Sequence, residues 1–84
     1  MRLDKFLKVS RLIKRRTVAN EACDNSRVQV NGRPAKASYD VKVGDRIQIS
    51  FGRGELAVEV LAVADAVKKD DAAAMYRELP QNEN

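Results

Sequence analysis

This chain of 84 residues has no histidine and a single cysteine, Cys23. Zinc sites draw their ligands mainly from Cys and His, so no metal site is expected. A Ser-His or Cys-His nucleophile system has no base to work with. One cysteine forms no internal disulfide, which suits a reducing compartment, and the cytoplasm is the expected location. Cys23 then reads as a small buried hydrophobe and not as a reactive thiol. Tryptophan is absent, and there are only two Phe and two Tyr, too few for a base-stacking platform of several aromatics. No run approaches the roughly 20 apolar residues of a membrane span. The N-terminus carries charges without an apolar h-region, so neither a secretory signal nor a membrane partner is expected. Asp40, Asp45, Asp70 and Asp71 fall in turns or a charge cluster, where facing solvent is the default, and nothing marks a matched acid/base pair. A chain of this length forms one domain and buries only roughly 60–65% of the surface its unfolded form exposes. It has no room for a deep catalytic cleft beside its core. No enzyme activity and no cofactor are expected.

What is present is positive charge, unevenly placed. Seven of the first sixteen residues are Lys or Arg. Residues 1–46 hold 12 Lys and Arg against 5 Asp and Glu, a net of +7; residues 47–84 hold 4 against 7, a net of −3. The asymmetry makes nucleic acid the leading partner. The cations also interleave with an apolar pattern. Leu3, Phe6 and Leu7 stand at i, i+3, i+4, the stripe of a helix packed on a core. Arg2, Lys5 and Lys8 recur every three residues on another flank, with Lys14, Arg15 and Arg16 beyond. One element thus anchors to a fold and presents a row of cations to a polyanion. With Ser, Thr and Asn donors beside them, such a surface suits phosphate and ribose and reads shape more than sequence.

The spacing predicts a first helix over about 2–9, a connector over 10–14 and a second helix over about 15–24. Val18, Ala19, Ala22 and Cys23 are predicted to share the inner face of that second helix. Val28 and Val30 then alternate with Gln29. Asn31-Gly32 is a hairpin signal, since both residues tolerate positive φ in a type I′ turn. Pro34 implies an edge or irregular strand. Val43-Gly44-Asp45 reads as a turn. Ile47, Ile49 and Phe51 alternate with polar residues, as do Leu56, Val58 and Val60 with Ala57 and Glu59, an antiparallel hairpin with one apolar face. Gly52-Arg53-Gly54 joins two strands and lacks the Lys-Ser/Thr ending of a P-loop, so it reads as a turn. The expected architecture is α+β: two N-terminal helices on a small, mostly antiparallel sheet. Residues 1–64 would form the domain. Residues 65–84 would form a short tail with a helical turn over 72–76, a solvated charge cluster at Lys68-Lys69-Asp70-Asp71 and a frayed end from Pro80.

The motifs Arg2-Leu-Asp-Lys-Phe-Leu7, Arg27-Val-Gln-Val-Asn-Gly32, Lys36-Ala-Ser38 and Val43-Gly-Asp45 occur in an order that resembles the alpha-L RNA-binding domain, named after small-subunit ribosomal protein S-four. The match covers about residues 2–50. The Ile47–Val60 hairpin and Ala72-Ala-Ala-Met-Tyr76 extend it to the stand-alone heat-shock-protein-fifteen family, without that family's long basic C-terminal extension. The resemblance implies binding to an obstructed large ribosomal subunit, close to large-subunit rRNA and peptidyl-tRNA. It also implies support for the factor that adds C-terminal alanine tails to stalled chains. Carried over by position, the RNA-contact surface falls on Arg2, Lys5, Lys8, Ser10, Arg11, Arg15, Arg16, Thr17, Asn20, Lys36 and Ser38. Asp4 is expected to orient neighbouring basic side chains or to cap backbone N–H groups. Many versions of the domain have Ser-Arg where this chain has Arg15-Arg16, which leaves the second helix without that cap. A monomer is expected.

Three other readings fit parts of the sequence. The domain also serves as a targeting module of rRNA-modifying enzymes such as pseudouridine synthases, which need a catalytic domain too large for this chain. A DNA-binding helix-turn-helix protein would use the second helix, although the strands and the basic first helix argue against it. A constitutive ribosomal or assembly protein would differ in its stoichiometry on translating ribosomes.

Overall fold

The computed structural model describes residues 1–52 and 54–80. Helix α1 (Leu3–Val9) and helix α2 (Arg16–Asp24) are followed by strands β1 (Val28–Val30), β2 (Arg33–Pro34), β3 (Arg46–Phe51) and β4 (Gly54–Val60). A short helix α3 (Lys69–Ala72) continues as a 3-10 turn (Ala73–Met75) into strand β5 (Tyr76–Glu78). The strands form one sheet in the order β2-β1-β3-β4-β5, antiparallel at every pairing. This is the α+β architecture expected, with one more strand. No helix among the described residues is long and apolar enough to cross a membrane.

The predicted stripe of α1 is the centre of the core: Leu3, Phe6 and Leu7 are fully buried. They share a cluster with Ala19 and Cys23 of α2, Val28 and Val30 of β1, Ile47 and Ile49 of β3, and Val58 and Val60 of β4. Burial alternates along β1 and β3, as the period of two requires. Burial pushes the Cys23 thiol up, helped by the Asp4 and Asp24 charges, to about 11. The thiol therefore stays protonated at neutral pH.

The turn residues bind one another. Asn31 and Gly32 both take positive φ, 54° and 84°, and the hairpin closes with Val30 opposite Arg33. Asn31 Oδ1 accepts from the Arg46 N–H at 3.0 Å, and its Nδ2 donates to Asp45 at 3.1 Å. Asp45 also accepts from the Tyr39 hydroxyl and the Lys42 N–H, both at 3.0 Å. Burial alone would raise its carboxyl, but these donors hold it below the usual carboxylate range. Asp45 is therefore a half-buried clamp between two turns and not the solvent-facing carboxylate expected. Gly44 precedes it at φ +95°, which only glycine adopts readily.

Three expectations change. Val18 is 47% exposed and Phe51 50% exposed. Only Ala19 and Cys23 of α2 are buried, because 100° of helix rotation turns Val18 away from α1. Phe51 lies at the last position of β3, where its cross-strand partner is Gly54, which has no side chain to cover it. The helical turn expected over 72–76 is displaced to 69–75, and Tyr76–Glu78 is strand, paired with Val58–Val60. Met75 is buried in the core, and its carbonyl accepts from the Leu61 and Ala62 N–H groups. Strands β3 and β4 pair with Phe51 opposite Gly54, as expected of a hairpin. Arg53 and residues 81–84, where the tip of that turn and most of the frayed end were expected, lie outside the described residues.

Candidate nucleic-acid interface

Helix α1 begins without a side-chain cap at Arg2. Its first N–H groups are served from a distant loop instead: Leu3 N–H donates to the Tyr39 carbonyl at 2.8 Å and Asp4 N–H to the Ala37 carbonyl at 3.1 Å. The Lys36-Ala-Ser38 segment is thereby fixed against the start of α1. Helix α2 also lacks a side-chain cap. Its N-cap residue is Arg15, whose side chain makes no cap hydrogen bond, in keeping with the missing Ser. Arg16 and Asn20 stand four apart on α2 and so share one face.

These pieces meet at Asp4. Asp4 is 2% exposed and accepts four hydrogen bonds from three side chains. Arg2 approaches as a fork, Nε to Oδ1 at 3.2 Å and Nη2 to Oδ2 at 3.3 Å. Arg16 Nη2 reaches Oδ1 at 3.4 Å, and Asn20 Nδ2 reaches Oδ2 at 3.3 Å. Asp4 thus does what the sequence suggested: it orients the basic side chains around it. The Arg2 and Arg16 side chains remain 50% and 48% exposed. One buried carboxylate therefore holds two guanidinium groups in place while their other donors face water. Such a pair is oriented before a ligand arrives, so less side-chain entropy is lost on binding.

Burial alone would raise the Asp4 carboxyl, but hydrogen bonds from Arg2, Asn20 and Arg16, with the Arg16 charge, hold it at about 2. A carboxyl depressed in the folded state stabilises the fold above its unfolded value, near 3.8. That contribution is lost as pH falls through about 2, and it amounts to about 2 kcal/mol. Urea denaturation followed by circular dichroism is expected to show this loss between pH 4 and pH 2. Asp40 and Asp45 are lowered too, so the difference between the parent and Asp4→Asn isolates the Asp4 part. Parallel pH profiles for the two proteins would remove Asp4 from this role.

The other expected contact residues divide. Lys36 and Ser38 are exposed and share with Arg2 and Asn20 a cleft of about 560 Å³. Thr17 lies in an adjoining depression with Asp4, Arg16 and Asn20. Arg15 is exposed at the start of α2. Lys5 turns the other way, to Asp65 at 3.2 Å. Lys8 and Arg11 line a separate cleft. Ser10 is a correction: it is 1% exposed, and its Oγ donates to the Leu7 carbonyl at 3.3 Å. It ends α1 from the inside and has no surface to offer.

Two packed helices carrying an ordered arginine pair, backed by an antiparallel sheet, define an RNA-binding domain of the S4 class. The S4 domain family matches residues 1–47, and the chain belongs to it. Its relatives include proteins named RQC P-site tRNA stabilizing factor. That of Streptococcus pneumoniae is 59% identical over 76 residues, covering 90% of this chain and 86% of the relative. That of Bacillus subtilis is 57% identical over 76 residues, covering 90% and 88%. The structure of Vibrio cholerae heat shock protein 15, described as trimeric, matches with a TM-score of 0.87 at 31% identity, over 94% of this chain and 81% of that one. Both resemblances read from the sequence are borne out, and the relatives' shared name belongs to ribosome quality control (RQC).

Proposed function

We propose that this protein is a non-catalytic, cytoplasmic RNA-binding factor of ribosome quality control. In this reading it acts as a monomer on obstructed large ribosomal subunits. Its α1–α2 face contacts large-subunit rRNA and peptidyl-tRNA, and so supports C-terminal alanine tailing of stalled chains by the tailing factor. The observation that carries the reading is the Asp4-held pair of half-exposed arginines, with Asn20, Lys36 and Ser38 beside it. Similarity over 90% of the chain to proteins named P-site tRNA stabilizing factors supports a ribosomal setting. A planar guanidinium fork fits a phosphate, and hydroxyl and amide donors fit ribose.

Salt tests this directly. If about five cations meet phosphate, log K for a structured rRNA fragment falls with log[salt] at a slope of roughly −3.5 to −4.5. A DNA duplex of equal length is expected to compete poorly. A flat salt dependence would point to a protein partner, and equal competition by DNA would favour the helix-turn-helix reading.

A further inference from the structure

Lys68-Lys69-Asp70-Asp71 looks in the sequence like a solvated cluster with no role in binding. The fold gives Lys69 company. Lys8 of α1, Arg11 and Lys14 of the connector, and Lys69 at the start of α3 line one cleft of about 590 Å³. Arg11, one residue past the C-cap Ser10, has a left-handed φ of 65° that turns the chain out of α1, and three cations of this segment line one cleft. Half-buried Val9 and Val67 lie between them and pack on the core. Asp65 is the one carboxylate among the lining residues. It is already engaged by Lys5 at 3.2 Å, and its side chain is 90% exposed. An ion pair so open to water is weak and exchanges readily for another anion.

None of these residues lines the Arg2, Asn20, Lys36 and Ser38 cleft or the depression around Asp4. The wall formed by residues 65–69 also lies outside the S4 match over 1–47. Four cations against one occupied carboxylate, over a partly apolar floor, complement a sugar-phosphate backbone. We infer that this cleft is a second RNA-backbone site, closed by the segment 65–69, so that the protein holds RNA at two separate places on its surface. Lys5, drawn toward this side by Asp65, passes to phosphate when RNA enters. The inference rests on the RNA-binding reading and adds to it a second point of grip.

The test uses Lys14→Ala/Lys69→Ala, two exposed positions whose loss leaves the core intact, with Lys68→Ala as a control outside the cleft. Binding to a purified rRNA fragment is measured across a potassium chloride series, and co-sedimentation with large subunits alongside. The double variant is expected to fold as the parent does by circular dichroism, to bind roughly tenfold more weakly, and to lose roughly 1.4 to 1.8 from the salt slope, the share of two phosphate contacts. Asp65→Asn is expected to bind more tightly than the parent. A parent with a steep slope and a double variant with the same slope and affinity would overturn the second site and leave the proposed function standing. A flat slope in the parent itself would overturn both. A double variant that binds rRNA like the parent but no longer co-sediments would also overturn the assignment, since the cleft would then face an acidic protein.

Discussion

A protein carrying Arg2→Ala and Arg16→Ala is expected to lose stable co-sedimentation with large ribosomal subunits, and with it the support of alanine tailing. Each half-exposed guanidinium offers donors beyond those spent on Asp4, and a charge-assisted hydrogen bond to phosphate is worth roughly 1–3 kcal/mol. Losing either arginine should weaken binding by roughly 5- to 150-fold. Losing both removes the oriented pair on which the proposed interface depends. The structure adds a complication: the two substitutions leave the buried Asp4 carboxylate with Asn20 alone, and a buried charge stripped of its partners destabilises a fold. Adding Asp4→Asn removes that charge. The triple variant is expected to fold, as judged by circular dichroism, and still not to bind. A folded triple variant that co-sediments like the parent would refute the interface.

The largest stability effect is expected at Ile49. It lies on the inner face of the central strand β3, 2% exposed, opposite Val28 on one side and Leu56 on the other. Ile49→Ala should cost roughly 2–5 kcal/mol. Domains of this size have only roughly 4–12 kcal/mol in all. Phe51→Ala, two residues along the same strand but half exposed, should cost well under half as much. Urea denaturation of the three proteins decides the matter. Equal costs at positions 49 and 51 would mean that β3 does not face the helices as described.

The features readable in advance were those with a strict local period or a demanding turn. The i, i+3, i+4 stripe of α1, the positive-φ Asn-Gly pair and the alternation of β3 each satisfy a constraint that few other structures share. Strand β5 carried no such signal. Tyr76-Arg77-Glu78 is three residues long with no clear alternation, and backbone bonds to the edge of β4 define it. Val18 and Phe51 were misplaced because periodicity assigns a face without saying how far the opposing layer extends. At the site, a lone carboxylate among cations was enough to suggest that Asp4 organises them. That it would take Arg2, Arg16 and Asn20, and leave Lys5 to Asp65, depends on how α1 and α2 pack. The burial of Ser10 depends on where α1 stops, which the polar character of serine conceals.

The borrowed capping of α1 ties the order of assembly to recognition. A seven-residue helix without its own cap is marginal in water, and the carbonyls that complete this one belong to Ala37 and Tyr39. Before the fold forms, residues 1–16, seven of them Lys or Arg, have no tertiary contacts to order their charges. Polycations of that kind adhere to any nucleic acid through charge alone. Only when the loop has closed over the helix start do Arg2 and Arg16 come to rest on Asp4. The oriented arginine pair is therefore acquired in the same cooperative step as the tertiary structure.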